Sequence, residues 1–481
     1  MAKTIVANIM PEETRMAILE DGELMEVAVE RSESGHLVGN IYKGRIANIL
    51  PGMQAAFIDI GWDKNAFLYI GDIFLPTKHN GSGGNGFLSV GQEIIVQIAK
   101  DAIGSKGPRA TTHLTLPGRY VVLMPTVNYI GVSRRINDEA ERERLRQIAE
   151  RIRPPEMGII VRTVAAGKNE EDFRRDLEYL VSTWQSLAAR AKRAKAPVLL
   201  YRDVDLVIRI VRDYLSADVD EFFLDDRDAF SRVRDLLSFI SPELESRVKL
   251  YEGRDDIFTH FGIEAELNKL QKRRVDLKCG GYIIIDNTEA LTVIDVNTGK
   301  FVGQTNLADT VFKTNLEAAA EIARQLRLRD IGGIIIIDFI DMDSDEHKQA
   351  LLEALNAALK KDRTKTNVVG LTGLGLVEMT RKKARQNITS VMYAECPCCQ
   401  GLGRVYSPET VAINIKRQLR KLAKDPSTAR SLILQVTPRI AQVLTRPGEL
   451  ERLEQETCCS IKIEAIDSMG GENYLILAGK D

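Results

Sequence analysis

Charge of one sign is not in excess in this chain. Its 66 lysines and arginines are balanced by 68 aspartates and glutamates, which leaves a formal net charge of −2 over 481 residues. Any nucleic-acid binding must therefore depend on local basic patches and not on bulk charge. No apolar run approaches the roughly eighteen residues that a membrane-spanning helix needs. The N-terminal MAKTIVANIM has no apolar core behind a basic head, so we expect no signal peptide.

Cysteine is scarce, and its distribution is not that of a disulfide framework. Five of the six cysteines fall in two tight groups, and one stands alone. This pattern is typical of a reducing cytoplasm, where thiols bind metals or stay free. We therefore predict a cytoplasmic location. The six residues are Cys279, Cys396, Cys398, Cys399, Cys458 and Cys459.

One cysteine group has the form of half a zinc site. In ECPCCQGLGRV, Cys396 and Cys399 form a C-P-x-C knuckle, with glycines close behind. A structural zinc ion has four ligands, and this knuckle supplies two of them. The adjacent Cys458 and Cys459 would chelate the same ion poorly, so they are a weak choice for the second half. The residues alone leave the origin of that half open.

The length indicates three or four domains, and the sequence pattern changes along the chain. Residues 1–35 alternate as strands do, and about five short β-like segments between residues 36 and 117 favour a small barrel such as an OB-fold. Two helices and a mixed α/β stretch follow. From residue 280, a hairpin, a helix and a buried strand form the densest α/β region. A small α/β module occupies roughly 408–481, so we predict an α/β multidomain fold.

Aspartates end two apolar strands of the α/β region. Asp295 closes LTVIDVN, and Asp338 and Asp341 lie in IIIIDFIDM. A strand-end aspartate usually points into water, but two in one α/β region raise the case for a divalent-cation site such as Mg²⁺. Asn297 shares a strand face with Asp295 and could orient its carboxylate. Spacing does not choose between Asp338 and Asp341.

Aromatic and basic residues mark a second candidate surface in the predicted barrel. Phe57 and Phe67 lie on two neighbouring strands, and Lys106 and Arg109 lie in the loop GSKGPRATT. Core packing is the more common role for phenylalanine in a small barrel. The functional alternative is a platform on which unpaired bases stack, with the cations following the phosphate backbone.

Arginines also follow two strand-like runs. GVSRRI contains Arg134 and Arg135, and IIVRT contains Arg162 followed by Thr163. The guanidinium fork suits bidentate phosphate binding. A solvated strand end or a salt bridge is the more common role, and pattern alone does not decide between them.

Taken together, these segments resemble the RNase E/G family of bacterial endoribonucleases over nearly the whole chain. The chain lacks the long disordered tail of one branch, so it resembles the shorter branch. Order and spacing of the segments agree with the family. The most specific stretches are NIYKGRI, AAFIDIG, LMPTVNYIGVSRRI, IIVRT, EALTVIDVNTG, TNLEAAAEIARQLRLRDIGGIIIIDFIDM, GLVEMTRKK and CPCCQGLG.

The resemblance implies roles for the aspartates and the aromatic residues. It implies that Asp295 and Asp338 bind a catalytic Mg²⁺ and that Asn297 orients Asp295, which leaves Asp341 without that role. It further implies an RNA-binding surface on an S1-type OB-fold. That surface would be formed by Phe57, Phe67 and Lys106.

The resemblance also implies a pocket that prefers a 5′-monophosphate on the RNA and a zinc ion shared between two chains. The zinc would be held by Cys396 and Cys399 of each chain and would link a homodimer; whether dimers pair into tetramers stays open. Cys398 stands where the family usually has a polar or charged residue. The residues implied for the 5′ pocket are Gly118, Val122, Arg134, Arg162 and Thr163.

The implied fold is composite, and the implied function is Mg²⁺-dependent cleavage of single-stranded RNA in ribosomal RNA processing and messenger RNA decay, with 5′-phosphate and 3′-hydroxyl products. A non-catalytic RNA-binding scaffold and a DNA nuclease are the alternatives. The implied parts are an RNase H-like subdomain (1–35 and 215–278), an S1-type OB-fold (36–117), a 5′-sensor region (118–214), a DNase I-like catalytic subdomain (279–394), a zinc-link (395–407) and a small C-terminal domain (408–481).

Overall fold

The computed structural model divides into two compact units, Met1–Val391 and Met392–Asp481. Among the residues that it describes, no helix is both long and apolar enough to cross a membrane. Those residues are 2–31, 37–72, 88–102, 106–299, 307–383, 387–399, 401–424, 430–467, 469 and 472–478.

Strands supply five sheets, and they are numbered here in chain order. They are β1 Lys3–Ile9, β2 Glu13–Glu20, β3 Glu23–Arg31, β4 Ile41–Leu50, β5 Ala55–Asp59, β6 Ala66–Tyr69, β7 Glu93–Lys100, β8 Arg109–Thr111, β9 Leu116–Pro117, β10 Val121–Met124, β11 Ile130–Val132, β12 Gly158–Val161, β13 Val198–Tyr201, β14 Glu221–Leu224, β15 Val248–Leu250, β16 Arg274–Asp276, β17 Tyr282–Asn287, β18 Leu291–Asn297, β19 Gly333–Asp338, β20 Thr366–Leu371, β21 Val377–Arg381, β22 Ser431–Val436, β23 Ser460–Ala465 and β24 Leu475–Ala478.

The helices begin at the polar residues that favour helix starts. Asp138, Asn169 and Ser344, for example, each accept a backbone N–H of the first turn that follows. The helices are α1 Glu139–Ile152, α2 Glu170–Arg193, α3 Leu206–Asp213, α4 Arg227–Ile240, α5 Ile257–His260, α6 Ile263–Lys269, α7 Leu307–Leu328, α8 Asp345–Leu359, α9 Ile388–Met392, α10 Pro408–Leu422, α11 Pro438–Leu444 and α12 Glu449–Thr457.

The first sheet joins two distant stretches of the chain. Its order is β15-β14-β1-β2-β3, and β1 pairs in parallel with β14. Its buried face, which includes Ile5 and Phe222, packs against apolar residues of α3 and α4. The two stretches are those that the resemblance assigns to a single subdomain.

The small barrel predicted from short strands is present. The strands β4, β5, β6, β8 and β7 pair in that order, and β4 also pairs with β7, so the sheet closes. Alternate residues point inward, and Ala56, Ile58, Ala66 and Leu68 are fully buried in its core. Strand β13 adds to the free side of β4.

A third sheet, β11-β12-β10-β9, follows the barrel and is packed by α1 and α2. The apolar stripe of α2, predicted to be core, is buried at Phe173, Leu177 and Leu180. Because β11 and β12 run parallel, with Val132 opposite Val161, the residues after both strands leave the sheet at the same edge.

The fourth sheet contains the densest α/β region of the sequence. Its order is β16-β17-β18-β19-β21-β20. Strands β17 and β18 form the predicted hairpin, and β18 runs parallel to β19. Apolar residues of α7 and α8 bury the sheet, including Ile322 and Leu355.

The second unit is a small α/β module, as predicted. Its sheet has the order β23-β22-β24, and Leu432, Leu434 and Val436 of the central strand are buried against α10, α11 and α12. The cysteine knuckle precedes this module in the chain.

Candidate functional site

Asp295 and Asp338, here called the carboxylate pair, are brought side by side by the fourth sheet. They are register partners on the parallel strands β18 and β19. Neighbouring strands lie about 4.8 Å apart, and partners across a ladder point to the same face. Asp295 is half-buried and Asp338 is exposed. The two carboxylates therefore share one edge of the sheet, and this register selects Asp338 over Asp341 as the partner of Asp295.

Burial and neighbouring negative charges both act on the carboxylate pair. The pKa of Asp338 is raised, first by partial burial and then by the negative charges of Asp295 and Asp341. Each cause disfavours the ionised form. A cation bound between the carboxylates would relieve that repulsion.

Asn297 lies on the same strand face as Asp295. Its Nδ2 donates to Asp295 Oδ2 at 2.8 Å. The carboxylate is thus held in one orientation, while its other oxygen makes no hydrogen bond with the described part of the chain. This is the contact that two-residue spacing on a strand suggests.

A buried asparagine that sequence reasoning missed supports the segment after Asp338. Asn315 of α7 is completely buried, and its Nδ2 donates to Ile340 O at 2.8 Å. Its Oδ1 accepts from Ile340 N at 3.1 Å. The two bonds fix the backbone between Asp338 and Asp341. A polar residue among the apolar positions of TNLEAAAEIA was the available signal.

The carboxylate pair has the donors that Mg²⁺ prefers. Mg²⁺ is usually bound by one or two carboxylates and keeps several waters. Within the described ranges, no three histidine, cysteine, aspartate or glutamate side chains form a ready ligand set. A two-carboxylate site with water in the remaining positions fits that arrangement.

Phe57 and Phe67 lie on the outside of the barrel and not in its core. They are register partners on β5 and β6, with ring centroids 6.0 Å apart and planes at 77°. Asn48 lies opposite Phe57, and Arg109 lies opposite Phe67. These four residues form one row across four strands, which we call the aromatic face. The structure therefore answers the question of core or surface that the sequence left open.

The aromatic face carries a basic residue, Arg109, on β8, and Lys106 precedes that strand in the chain. Lys106 and Arg109 are both exposed, and β8, which begins at Arg109, lies beside β6. Cations next to exposed rings are the usual composition of a surface for single-stranded nucleic acid.

Five residues that the sequence pointed to lie at the third sheet: Gly118, Val122, Arg134, Arg162 and Thr163, here called the arginine pocket. Arg162 and Thr163 follow β12, and Arg134 follows β11, at one edge of the sheet. Thr163 Oγ1 lies 2.7 Å from Ser133 Oγ. Val122 pairs with Ile160 in the adjoining ladder.

Arg162 is already held by protein groups. Its Nη1 donates to Gly118 O at 2.6 Å, and its Nη2 donates to Asp213 Oδ1 at 2.6 Å. Asp213, at the end of α3, was missed by sequence reasoning because it is distant in the chain. Burial alone would raise the pKa of Asp213, but hydrogen bonds and charges from Arg212 and Arg162 lower it.

Gly118 is required by a close approach of Asp176. A Cβ at residue 118 would lie 2.5 Å from Asp176 Oδ2. The buried Asp176 carboxylate accepts backbone N–H bonds from Arg119, Tyr120 and Val121. These bonds fix the turn whose carbonyl orients Arg162.

Arg363 connects the arginine pocket with the fourth sheet. Its Nη1 donates to Asp213 O at 2.6 Å, and its guanidinium lies 4.7 Å from the ring centre of Tyr214. The preceding residue, Asp362, is buried and binds Arg381 of β21 at 2.7 Å. Strand β21 pairs with β19, which carries Asp338.

The cysteine knuckle lies in the second unit. The pKa of Cys396 is lowered, first by the backbone N–H of Cys399 and then by that of Cys398. Such bonds favour the thiolate, which is the metal-binding form. Gly401 has φ of 83°, a conformation that favours glycine and turns the chain back. The donor set fits two of the four ligands of a zinc site.

The adjacent pair Cys458 and Cys459 differs from the knuckle. Cys458 is exposed at the end of α12, whereas Cys459 is buried in the core of the module. Two side chains with such different environments are poorly placed to bind one ion, in agreement with the sequence prediction.

Comparison with known proteins gives matches along nearly the whole chain. Residues 115–384 match the Ribonuclease E/G family, and residues 395–479 match the RNase E/G thioredoxin-like domain. Ribonuclease G of Escherichia coli is 44% identical over 453 residues, 92% of each chain. Ribonuclease G of Haemophilus influenzae is 44% identical over 427 residues, 87% of each chain. Ribonuclease E of a Nostoc species is 43% identical over 392 residues, 80% of this chain and 57% of that protein.

The predicted small C-terminal module thus corresponds to a thioredoxin-like domain. With the family match and a relative that is 44% identical over 92% of its length, this chain belongs to the ribonuclease E/G family.

Proposed function

We propose that this endoribonuclease cleaves single-stranded RNA with Mg²⁺, in ribosomal RNA processing and messenger RNA decay. The observation that carries the proposal is the carboxylate pair: Asp295 and Asp338 are register partners at one sheet edge and repel one another. Relatives named ribonuclease G and ribonuclease E support RNA as the substrate.

In this mechanism, protein groups hold the metal ion and the RNA. Asp295 and Asp338 would hold Mg²⁺, whose contribution is to neutralise charge on the scissile phosphodiester and make water a better nucleophile. Asn297 keeps the Asp295 carboxylate in its binding orientation through the 2.8 Å bond. The aromatic face stacks unpaired bases, while Lys106 binds the backbone. Cleavage leaves a 5′-phosphate and a 3′-hydroxyl.

The arginine pocket would bind the 5′-monophosphate of the RNA. Arg162 offers a fork oriented by Gly118 O, and Thr163 offers a hydroxyl next to Ser133. The exposed Arg134 lies at the same sheet edge and adds positive charge. A 5′-hydroxyl end would gain none of these contacts, so 5′-monophosphorylated RNA is the preferred substrate.

The proposed architecture follows the family resemblance. The first sheet would belong to an RNase H-like subdomain, the barrel to an S1-type OB-fold and the fourth sheet to a DNase I-like catalytic subdomain. The protein acts in the cytoplasm. Boundaries between these parts remain those proposed from the sequence.

Zinc would link two chains into a homodimer. Cys396 and Cys399 of each chain supply four thiolates to one closed, structural site. Replacing both cysteines with serine is expected to yield monomers, because the two chains lose their shared ligand set. Sedimentation velocity and metal analysis would check this. A variant that still sediments as the parent dimer contradicts the zinc link.

The decisive test uses one RNA oligonucleotide with a single A/U-rich cleavage site, bearing either a 5′-monophosphate or a 5′-hydroxyl, with and without Mg²⁺. We expect Mg²⁺-dependent cleavage that is faster on the monophosphate. Equal cleavage rates on the two substrates would support the nuclease activity and contradict the proposed 5′-monophosphate sensor. A DNA oligonucleotide of the same sequence tests the DNA-nuclease alternative. Intact RNA binding without any cleavage would favour the scaffold alternative.

A further inference from the structure

A third aromatic side chain stands on the outside of the barrel beside the aromatic face. Tyr69 ends β6, two residues beyond Phe67, and therefore points to the same side of the sheet. Tyr69 is 37% exposed, whereas the other residues of β6 are buried or half-buried. Two residues along a strand are separated by about 6.6 Å, so Tyr69 lies about that far from Phe67 along β6, to one side of the row that runs across the strands.

The ring of Tyr69 is held in one position before any ligand binds. Its hydroxyl donates to Gln54 Oε1 at 2.8 Å. The backbone of Gln54 is itself fixed. Its backbone carbonyl accepts from Ile70 N at 2.8 Å, and its backbone N–H donates to Pro51 O. One side of the ring lies against Gly71, where a Cβ would come within 2.5 Å of Tyr69 Cε1.

A fixed, exposed ring loses little conformational entropy when a flat ligand binds to it. Solvent exposure alone does not make a binding site, but Tyr69 is two residues from Phe67 on the same face of β6, and the exposed Arg109 lies opposite Phe67 on β8. A planar apolar ligand on a negatively charged backbone matches that composition, and this description is that of single-stranded nucleic acid.

We propose that Tyr69 is a third base-stacking position, which lengthens the single-stranded RNA footprint by one nucleotide beyond the Phe57–Phe67 pair. This inference rests on the proposed function, because it deepens the same RNA-binding face. The ligand class is a nucleobase, and stacking tolerates any base because each has a π-face. Tyr69 is then a binding residue and takes no part in the cleavage step.

The test measures the affinity of 5′-hydroxyl RNA homopolymers of increasing length for the full chain in an Asp295→Asn background, so that bound RNA is not cleaved. Tyr69→Ala is expected to weaken binding of the longer oligomers about tenfold, as is usual for loss of one stacked base. Shorter oligomers that reach only the phenylalanine pair should bind both proteins equally. Tyr69→Phe keeps the ring but loses the hydrogen bond to Gln54, so it should weaken binding much less than Tyr69→Ala does.

Two controls separate stacking from other roles of Tyr69. Tyr179→Ala removes a tyrosine that is 58% exposed on α2, and should leave RNA affinity unchanged. The dependence of affinity on salt should keep its slope in Tyr69→Ala, because no phosphate contact is lost, whereas Lys106→Ala should reduce that slope. A second readout is photocrosslinking of 5-bromouridine RNA, with the crosslinked peptide expected to contain Tyr69.

The outcomes also distinguish this inference from the function on which it rests. If Phe57→Ala weakens binding and Tyr69→Ala does not at any oligomer length, Tyr69 is not a stacking position. The proposal that the aromatic face binds RNA is then still supported. Should neither substitution change affinity, the face itself is wrong. Equal weakening by Tyr69→Ala and Tyr69→Phe would show that the Gln54 hydrogen bond matters and the ring does not, which also overturns the proposal.

Discussion

The carboxylate pair and the arginine pocket are both charged, but their charges are arranged in opposite ways. At the pair, Asp295, Asp338 and Asp341 are of one sign, and the pKa of Asp338 is raised. In the pocket, Arg162 is bound to Asp213 at 2.6 Å, and the pKa of Asp213 is lowered. A cation entering the first region relieves repulsion, whereas a phosphate entering the second must compete with a carboxylate. The first region therefore favours the approach of a cation, whereas the second already balances its arginine with a carboxylate.

The largest effect is expected at the carboxylate pair. Asp338→Asn removes one of the two carboxylates proposed to bind Mg²⁺ and should reduce Mg²⁺-dependent cleavage by about a thousandfold, because metal catalysis contributes several kcal/mol. RNA affinity should be unchanged. Single-turnover cleavage and a binding titration would measure both.

Asp341→Asn is the matched control, because it changes the same charge three residues away without removing a member of the pair. It should retain most of the cleavage activity. Equal losses in Asp338→Asn and Asp341→Asn would mean that the sheet register does not select the catalytic carboxylate.

A smaller effect is expected in the arginine pocket. Arg162→Ala removes the guanidinium fork proposed to bind the 5′-phosphate, so the proposed preference for monophosphorylated over hydroxylated RNA should fall about tenfold. Cleavage of 5′-hydroxyl RNA should stay at the parent rate. The rate ratio on the two substrates is the measurement, and an unchanged ratio would remove Arg162 from the sensor.

Asp213→Asn tests whether the protein carboxylate competes with the phosphate. The amide keeps an oxygen that can accept from Arg162, but the negative charge is gone. The preference for the monophosphate should therefore rise, by about threefold to fivefold. A preference that falls as far as in Arg162→Ala would show that Asp213 orients the arginine and does not oppose the ligand.

The smallest effects are on stability, and they should have opposite signs in the two regions. The pKa of Asp338 is raised, so the folded state binds its proton more tightly than the unfolded state. Its ionisation therefore costs stability as the pH rises through the ordinary aspartate range to the raised pKa. Asp338→Asn should be more stable at pH 7, by only a few tenths of a kcal/mol because solvent screens an exposed group. The difference should vanish in acid.

Asp213 gives the reverse case. Its pKa is lowered, so its ionised form stabilises the fold above the unfolded pKa, and this contribution is lost as the pH falls through the folded pKa. Asp213→Asn should be less stable at pH 7 by about 1 kcal/mol. Thermal unfolding of both variants at pH 7 and in acid would check the comparison, and shifts of the same sign would contradict it.

Local sequence patterns predicted most of the elements. Short alternating runs indicated the barrel, and the apolar spacing from Phe173 to Leu187 indicated α2. Period and turn residues are local properties, so they are legible without a structure. The sequence pattern did not show whether Phe57 and Phe67 lie inside or outside the barrel, because the neighbours of a strand residue come from other segments of the chain.

Contacts between residues far apart in the chain could not be predicted from the sequence pattern. Asp213 lies 51 residues from Arg162, and Asn315 lies 25 residues from Ile340. Neither separation corresponds to the repeat of a helix or a strand, so no local pattern indicates the contact. Nothing in the sequence pattern selected Tyr69, because the position of its ring depends on contacts with Gln54 in the preceding turn and Gly71 in the following turn.

By itself, the sequence determined the family, the succession of strands and helices, and the strand-end aspartates and knuckle cysteines, because these depend on residue type and short spacing. The tertiary structure shows Asp338 beside Asp295, through the parallel register of β18 and β19, where strand spacing left Asp338 and Asp341 open. It alone decided that Arg162 starts from an ion pair and that three aromatic rings share one outer face. The reason is physical: charge repulsion, ion pairing and stacking fall off within a few ångströms, and only folding sets distances of that size between residues far apart in the chain.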